Sequence, residues 1–558
     1  MNPQDATRPA GLDRLDGWLA LALLAFVGLF GLKTFDPSMV PYEDAAMLMR
    51  YSQHLAAGQG ITWNPGEAPV DGATDFLFMV SIGLLAKTGI SIEHATQLLG
   101  LGAHVLTCLF VFFAVRRLHP TARWTAWVSA AYLAIGPGLR YVEAYFGTPY
   151  FAMFTATTWY LAYRVFRGDD SRSVCALFGL SSLALGLTRP EGVFLSAFMV
   201  LGLLVTRGWP RTRRLVGYWV PIFGIPGAAY FAWHWSYFGY PLPNPFYVKG
   251  GGSLYPQHLE SSLRNVLALG LPFVPLIVYS ALLSCSRLMG SRRDGDGHPS
   301  AEEAREVWFL LVPLLLFSLM WVFLSGATDY LMRFNYCSLP MVLLAWPAAL
   351  ATFLRVWGVL PTAPPRFLAR WLAVLTFSAF ALGYHYEAYR DVHHRIGGPY
   401  RVAKMLAEFD HDYTMVVTNA GQLPFYSGWR AIDAWGLNDG TIAHGGGITE
   451  DYLDRNDPEL LQIDCLFSPA IDIDARFEQV RHLVGVEATK RMVDWARARG
   501  YTLAVAFGPT AYKTHYYFVK PDIPEAAEIV RRLRAMDYRF ESSGDPCFDF
   551  SAAGRDAG

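Results

Sequence analysis

Apolar runs of near membrane-crossing length recur through the first two-thirds of the chain and then stop. They fall near 16–33, 95–115, 123–138, 149–166, 173–188, 193–206, 215–235, 264–286, 306–325, 335–355 and 367–385. A helix needs about 20 apolar residues to cross roughly 30 Å of hydrocarbon, so the pattern predicts about eleven helical spans. A twelfth apolar stretch, 76–89, is shorter and predicts a helix lying along the interface. From about residue 390 the apolar runs become short. Thr414–Thr418, Ala431–Asp433, Thr502–Phe507 and Tyr516–Val519 predict strands, and Tyr400–Phe409, Glu487–Arg499 and Pro524–Met536 predict helices. The expected architecture is an α-helical multi-pass membrane domain, 1–388, followed by a soluble α/β domain, 389–558.

Composition agrees with that division. Of 558 residues, 53% are hydrophobic and 17% charged, against about 25% charged in soluble domains. The formal net charge of −1 offers nothing to nucleic acid. Met1–Asp16 is polar and no small-residue cleavage site follows the first run, so that run is expected to stay as an anchor. The Gly428-Trp429-Arg430 and Gly445-Gly446-Gly447 stretches are ordinary loops, since no GK[ST] follows the glycines.

Arginine and lysine fix the orientation. Arg116, Arg117 and Arg123; Arg164, Arg167 and Arg172; Arg207, Arg211, Arg213 and Arg214; Arg287, Arg292, Arg293 and Arg305; and Arg355, Arg366 and Arg370 fall on alternate loops. The N-terminus is therefore expected inside. Loops 34–94, 139–148, 189–192, 236–263 and 326–334, and everything after about 386, are expected outside, with the chain in a cell or plasma membrane.

Cys108, Cys175, Cys285 and Cys337 lie in or beside apolar runs and read as buried thiols. No CxxC or His/Cys spacing marks a zinc site. In the outer tail, Cys465 and Cys547 are either a disulfide or two separate thiols.

The outer face is poor in cations, which makes Arg140, Arg189, Lys249 and Arg333 conspicuous there. As a group they suit an anion such as a phosphate; singly, each could be a structural partner for Glu43, Asp44, Glu143, Glu191 or Asp329. The acid pair Glu43–Asp44 follows the first run and opens a polar loop that extends to Asp75. Adjacent carboxylates do not share one helical face. One can enter a cavity as a general base while the other is held by a cation or by backbone donors. The competing reading is a plain charge at a helix end.

The loop from Tyr42, YEDAAMLMRYSQHLAAGQGITWNPGEAPVDGATDFLF, resembles the first outer loop of bacterial GT-C membrane glycosyltransferases, in the group of the mycobacterial terminal β-(1→2)-arabinofuranosyltransferase. Glu43 and Asp44 fall on that group's acid pair, Arg50 and Tyr51 on its R-Y, Trp63 to Glu67 on WNPGE, and Asp71 to Thr74 on E-G-x-T. Downstream, Leu187 to Gly192 resembles its LxRPEG loop, Tyr237 to Lys249 its YYGxxLPNTFYAK, and Gly326 to Phe334 loosely its GGDWMxxxRF. In the tail, Asn419 to Gly428 and Ile432 to Leu437 resemble AGxxPYYSG and IDxxGL. The similarity runs in order along nearly the whole chain. Two departures stand out: the first acid is Glu43 rather than Asp, and a GLETxL loop becomes Tyr145 to Tyr150, without its glutamate. Glu143 is the nearby substitute.

The resemblance implies an inverting glycosyltransferase that uses a polyprenyl-phosphate sugar, with membrane lipid, the lipid-linked donor and a glycan or glycoconjugate acceptor as partners. Arabinofuranose is favoured by resemblance alone; mannose and rhamnose stay open. In this reading Glu43 or Asp44 is the base, Lys249, Arg333 and Arg189 hold the donor phosphate, and Arg50, Tyr51, Asn64, Asn244, Asp329 and Glu191 shape the pocket. The first loop has no DxD spacing, so no metal or other cofactor is expected. The rival classes are a transporter or flippase of lipid-linked sugars and a non-catalytic glycan-binding assembly protein. A transporter would show internal repeats and interrupted helices, and an assembly protein would have no need of the acid-pair loop.

Overall fold

The computed structural model describes residues 12–34, 39–120, 123–249, 251–271, 273–288, 300–324, 329–356, 379, 382–383, 385–386, 397–410, 412–465, 485–510, 513–539 and 548–549. The first part is helical: α1 (Arg14–Thr34), α2 (Glu43–Ala56), α3 (Phe76–Ala86), α4 (Ile92–Leu118), α5 (Arg123–Ile135), α6 (Gly138–Glu143), α7 (Thr148–Phe166), α8 (Arg172–Thr188), α9 (Glu191–Arg207), α10 (Trp209–Trp219), α11 (Ile225–Phe238), α12 (Asn244–Val248), α13 (Pro256–Gly270), α14 (Phe273–Leu288), α15 (Ala301–Met320) and α16 (Ser338–Val356). The first ten apolar runs coincide with these helices. The run at 367–385 falls almost wholly outside the described residues, as does Cys547 and with it the question of the disulfide.

Length and composition suit two of these elements for crossing a membrane: Ile92–Leu118, and the continuous Trp209–Phe238. Inside the latter, a π turn at Val220–Gly224 takes up Pro221, whose missing N–H interrupts the regular ladder. The expected single span at 264–286 is instead two helices, Pro256–Gly270 and Phe273–Cys285, bent by 114°. Leu271 is extended, with ψ 134°, as a residue before proline tends to be. Between Glu43 and Asp75, expected as a polar loop, the chain begins with the 14-residue helix α2. α2 packs on α3, whose Phe78, Met79 and Ile82 are buried.

Charge pairs collect at the loops expected to be cytoplasmic. Asp16, at the start of α1, accepts from Arg116 at 2.8 Å and from Arg123 at 3.0 Å. Arg167 meets Glu306 at 3.0 Å, and Arg207 pairs with Glu302. These contacts draw the ends of α4, α7 and α9 toward the starts of α1, α5 and α15.

The tail contains α17 (Gly398–Leu406), β1 (Thr414–Val417), α18 (Gln422–Ser427), β2 (Arg430–Asp433), α19 (Gly440–His444), α20 (Glu450–Asn456), β3 (Leu460–Cys465), α21 (Val486–Ala498), β4 (Thr502–Thr510), β5 (Lys513–Val519), α22 (Ala526–Arg534) and β6 (Phe548–Asp549). The predicted strands are all present, joined by β3 and the short β6. The sheet order is β2-β1-β3-β5-β4-β6. β1 pairs parallel with β2 and β3, and the remaining pairs are antiparallel. Alternate residues serve two cores, as a period of two requires. Met415 and Val417 join the core continuous with the helical bundle, while Val416 faces a second cluster with Ile432, Leu461, Trp495 and Phe518. The tail is thus packed onto the bundle rather than tethered to it.

Candidate active site

α2 begins with its two acids in the first turn, where the exposed N–H groups of a helix favour negative charge. About 100° of helical rotation separates their directions, and they meet different partners. Asp44 lines a cavity of about 350 Å³ together with Asp75, Arg189, Glu191, Lys249 and Arg333. Glu43 turns to the tail, where its Oε2 accepts the backbone N–H groups of Gly421 at 2.8 Å and Gln422 at 2.9 Å.

Within the cavity Arg333 donates to Asp44 Oδ2 at 2.5 Å. Its guanidinium lies over the Phe146 ring at 4.4 Å and the Phe334 ring at 5.0 Å. Burial works against the Asp44 charge, but Arg333, then Lys249 and Arg189, outweigh it and hold the carboxyl below its usual range. Lys249 is pulled down by burial, with Asp44 opposing and the two arginines reinforcing. Arg189 is committed to carboxylates: it donates to Asp75 at 2.8 Å and to Glu191 at 3.0 Å. Burial disfavours its charge, yet these two partners raise its pKa. Asp75 is raised by burial, which Arg189 only partly offsets.

The cavity wall is otherwise apolar: Phe146, Phe194, Leu242, Phe246, Trp321, Phe323 and Phe334. Leu437 brings in the tail. Gly72, also in the lining, has no room for a side chain. A Cβ there would lie 2.0 Å from Asn438 Oδ1 and 2.8 Å from the Leu437 carbonyl. Asp75, Phe146 and Trp321 carry no separate signal in the sequence; Asp75 marks only the end of the polar stretch.

Five expected pocket residues do not line this cavity. Arg50 is buried and donates to the carbonyls of Trp63 at 2.9 Å, Trp429 at 2.9 Å and Pro424, and to Asn64 Oδ1 at 3.0 Å. Tyr51 donates to Asn438 Oδ1 at 2.9 Å. Asn64 exchanges two hydrogen bonds with the Ala431 backbone, each 3.0 Å, as a neighbouring strand would. Trp63 Nε1 donates to the Ala431 carbonyl at 2.8 Å, and Glu67 pairs with Arg430 at 2.7 Å. The Arg-Tyr and WNPGE elements therefore seat the tail on the first loop. Asn244 bonds through its N–H to the Asp71 carbonyl at 3.0 Å. Asp329 accepts the Phe334 N–H at 2.9 Å and Asn265 at 3.0 Å, shaping the turn that carries Arg333. Neither Arg140 nor Glu143 reaches the cavity; both are buried on α6.

Among the described residues, no group of three or more His, Cys, Asp or Glu is arranged to share a metal ion.

A helical bundle with a packed C-terminal sheet domain is the fold this chain shares with solved GT-C glycosyltransferases. The chain is similar to ArnT from Cupriavidus metallidurans in the apo state, at 15% identity and TM-score 0.55, over 91% of this chain and 98% of that one. It is also similar to the oligosaccharyltransferase AglB from Archaeoglobus fulgidus, in complex with an inhibitory peptide and a dolichol-phosphate. That likeness has 13% identity and TM-score 0.50, over 92% of this chain and 75% of that one. The arabinofuranosyltransferase AftD from Mycobacteria aligns at 15% identity and TM-score 0.48, over 92% of this chain and 40% of that one. Residues 385–525 match the family described as Domain of unknown function (DUF8728). No curated protein matches the chain.

Proposed function

We propose that this chain is an inverting, polyprenyl-phosphate-sugar-dependent glycosyltransferase, built from a bundle of about eleven spans, 1–388, and a tail domain, 389–558. Its N-terminus lies in the cytoplasm; the cavity and the tail face outward. The observation that carries the reading is the meeting of Asp44, Lys249 and Arg333 in one cavity. AglB, which has the same fold, binds a dolichol-phosphate in the structure that resembles this chain, and that supports a lipid-phosphate donor.

In this mechanism the donor phosphate lies against Lys249 and Arg333. Its lipid chain leaves past Phe194, Leu242 and Phe323, cavity residues whose side chains are also exposed. Asp44 accepts the proton of the acceptor hydroxyl. The hydroxyl oxygen bonds to the anomeric carbon from the face opposite the phosphate as the carbon–phosphate-oxygen bond breaks, and polyprenyl phosphate departs as an anion. Lys249 and Arg333 stabilise the charge that develops on it, so no metal has to be invoked. The Asp44–Arg333 pair adds a coupling. A phosphate that draws Arg333 away removes the main cation lowering the Asp44 pKa, so donor binding makes Asp44 a stronger base. Arabinofuranose is the first sugar to test, and the acceptor is a cell-envelope glycan or glycoconjugate.

The test is a purified protein in nanodiscs given synthetic polyprenyl phosphates carrying arabinofuranose, mannose or rhamnose, with a panel of glycan acceptors. Product with an inverted anomeric centre is expected, and Asp44→Asn should form it about 10² or more times slower. Translocation of the lipid-linked sugar across proteoliposomes without transfer of any sugar would overturn the reading in favour of a transporter.

A further inference from the structure

Arg140 is 1% exposed on α6. Its guanidinium donates to the Tyr141 hydroxyl at 2.8 Å and to the Leu331 carbonyl. The Tyr141 hydroxyl donates to that same carbonyl at 2.7 Å. No carboxylate among the described residues pairs with Arg140. A buried guanidinium without a carboxylate is expensive to keep, and what it grips here is a backbone oxygen.

That oxygen belongs to an unusual turn. Leu331 has φ 62° and Met332 has φ 60°. Two consecutive residues with a Cβ in the left-handed region are disfavoured, because the side chain crowds its own backbone. The next residue is Arg333, whose guanidinium meets Asp44 at 2.5 Å. On the other side, Asp329 holds the Phe334 N–H at 2.9 Å. The turn is therefore pinned before and after the one side chain it delivers to the cavity.

We infer that Arg140 and Tyr141 are positioning residues that clamp the Leu331 carbonyl, keep the Leu331–Met332 turn left-handed and so aim Arg333 at the donor phosphate. This rests on the reading of Arg333 as a phosphate-binding group. It also gives Arg140 a different task from the anion contact that its charge on the outer face suggested.

The experiment is a double-mutant cycle on the full-length protein, with undecaprenyl phosphate in detergent micelles as the probe and its affinity as the readout. Arg333→Met and Arg140→Met should each weaken binding about tenfold, the scale of one lost charged hydrogen bond. The double variant should also lose about tenfold, because both act through one contact. Arg140→Lys, which keeps a donor to the carbonyl, should recover part of the loss. Tyr141→Phe removes a single hydroxyl and carries the same cycle if Arg140→Met fails to fold. Unchanged affinity in Arg140→Met and Tyr141→Phe, or losses that add to about a hundredfold in the double variant, would overturn the positioning role and leave the phosphate reading standing. Unchanged affinity in Arg333→Met would remove the phosphate reading, and the inference with it.

Discussion

Glu43 and Gly421, 378 residues apart in sequence, are joined by a hydrogen bond of 2.8 Å from the Gly421 N–H to Glu43 Oε2. A Cβ at Gly421 would stand 2.0 Å from the Glu43 carbonyl and 2.3 Å from that carboxylate oxygen. The tail thus rests on the residue next to Asp44, and the position of the tail bears on the geometry of the cavity.

Gly421→Ala should push the tail off α2. Glu43→Ala should act the same way by leaving the Gly421 and Gln422 N–H groups without their acceptor, at about 1–3 kcal/mol each. Both variants are expected to unfold at lower temperature and to expose the tail to limited proteolysis. Glu43→Gln keeps a carbonyl acceptor and should be milder on both counts. Wild-type protease resistance in Gly421→Ala would contradict the docking.

The two acids should separate kinetically. Asp44→Asn should lower turnover by about 10² or more, the lower range for loss of a general base, while leaving membrane insertion intact. Because it frees Arg333 from its anionic partner, it should bind polyprenyl phosphate at least as tightly as the wild type. Glu43→Gln should retain most of its turnover. Near-normal transfer by Asp44→Asn in the purified assay would remove it as the base.

Lys249 and Arg333 should differ in how they respond to substitution. Lys249→Met is expected to weaken polyprenyl phosphate binding by about tenfold or more, the scale of a charged hydrogen bond. Arg333→Lys should also weaken it, because an ammonium cannot reproduce the two-pronged grip of a guanidinium. Isothermal titration in micelles measures both, and equal affinities for Arg333→Lys and wild type would mean that charge alone matters.

Arg189 holds two carboxylates, so its loss should register first in stability. Arg189→Met leaves Asp75 and Glu191 partly buried without their cation, a change worth about 3–5 kcal/mol when a buried pair is broken. A clear drop in thermal stability is expected, with partial recovery in the double variant Arg189→Met/Asp75→Asn. Unchanged stability together with a lost donor affinity would instead place Arg189 among the phosphate ligands.

Asp433 gives the tail a pH dependence. Its carboxyl is buried, which raises its pKa from 3.8 to about 6; the N–H groups of Trp435 and Asn438 and the Asn438 side chain oppose the shift. The folded state therefore holds the proton more tightly than the unfolded state. The stabilising contribution is present below about pH 4 and is lost as pH rises through about 6, by on the order of 3 kcal/mol for this group. Asp433→Asn should remove that difference. Comparing the unfolding temperatures of the two proteins between pH 4 and 7 checks it; parallel curves would show that Asp433 does not titrate in this range.

The helices and the tail strands were legible in the sequence because each follows from a local pattern: long apolar runs for the bundle, short runs carrying Val, Ile, Phe and Tyr for β1, β2, β4 and β5. The broken element at 264–286 was marked by Pro272, but a window of mean apolarity reads through a proline that a backbone does not. The divergence of Glu43 and Asp44 also followed from helical geometry, since neighbours on a helix cannot face the same way.

Which acid faced the cavity was decided by the tail, because only the packed sheet domain brings the Gly421 and Gln422 N–H groups to Glu43. The same packing turned Arg50, Tyr51 and Asn64 toward the tail backbone: a motif records which residues stand together along the chain, whereas their partners at Pro424, Trp429, Ala431 and Asn438 lie more than 360 positions away. In the sequence Arg140, Arg189 and Arg333 look alike, as cations in the loops expected outside. Only their three-dimensional neighbours distinguish a backbone clamp, a carboxylate pair and a guanidinium held against Asp44, because charge is a property of the residue while its use depends on what the fold places within about 3 Å of it.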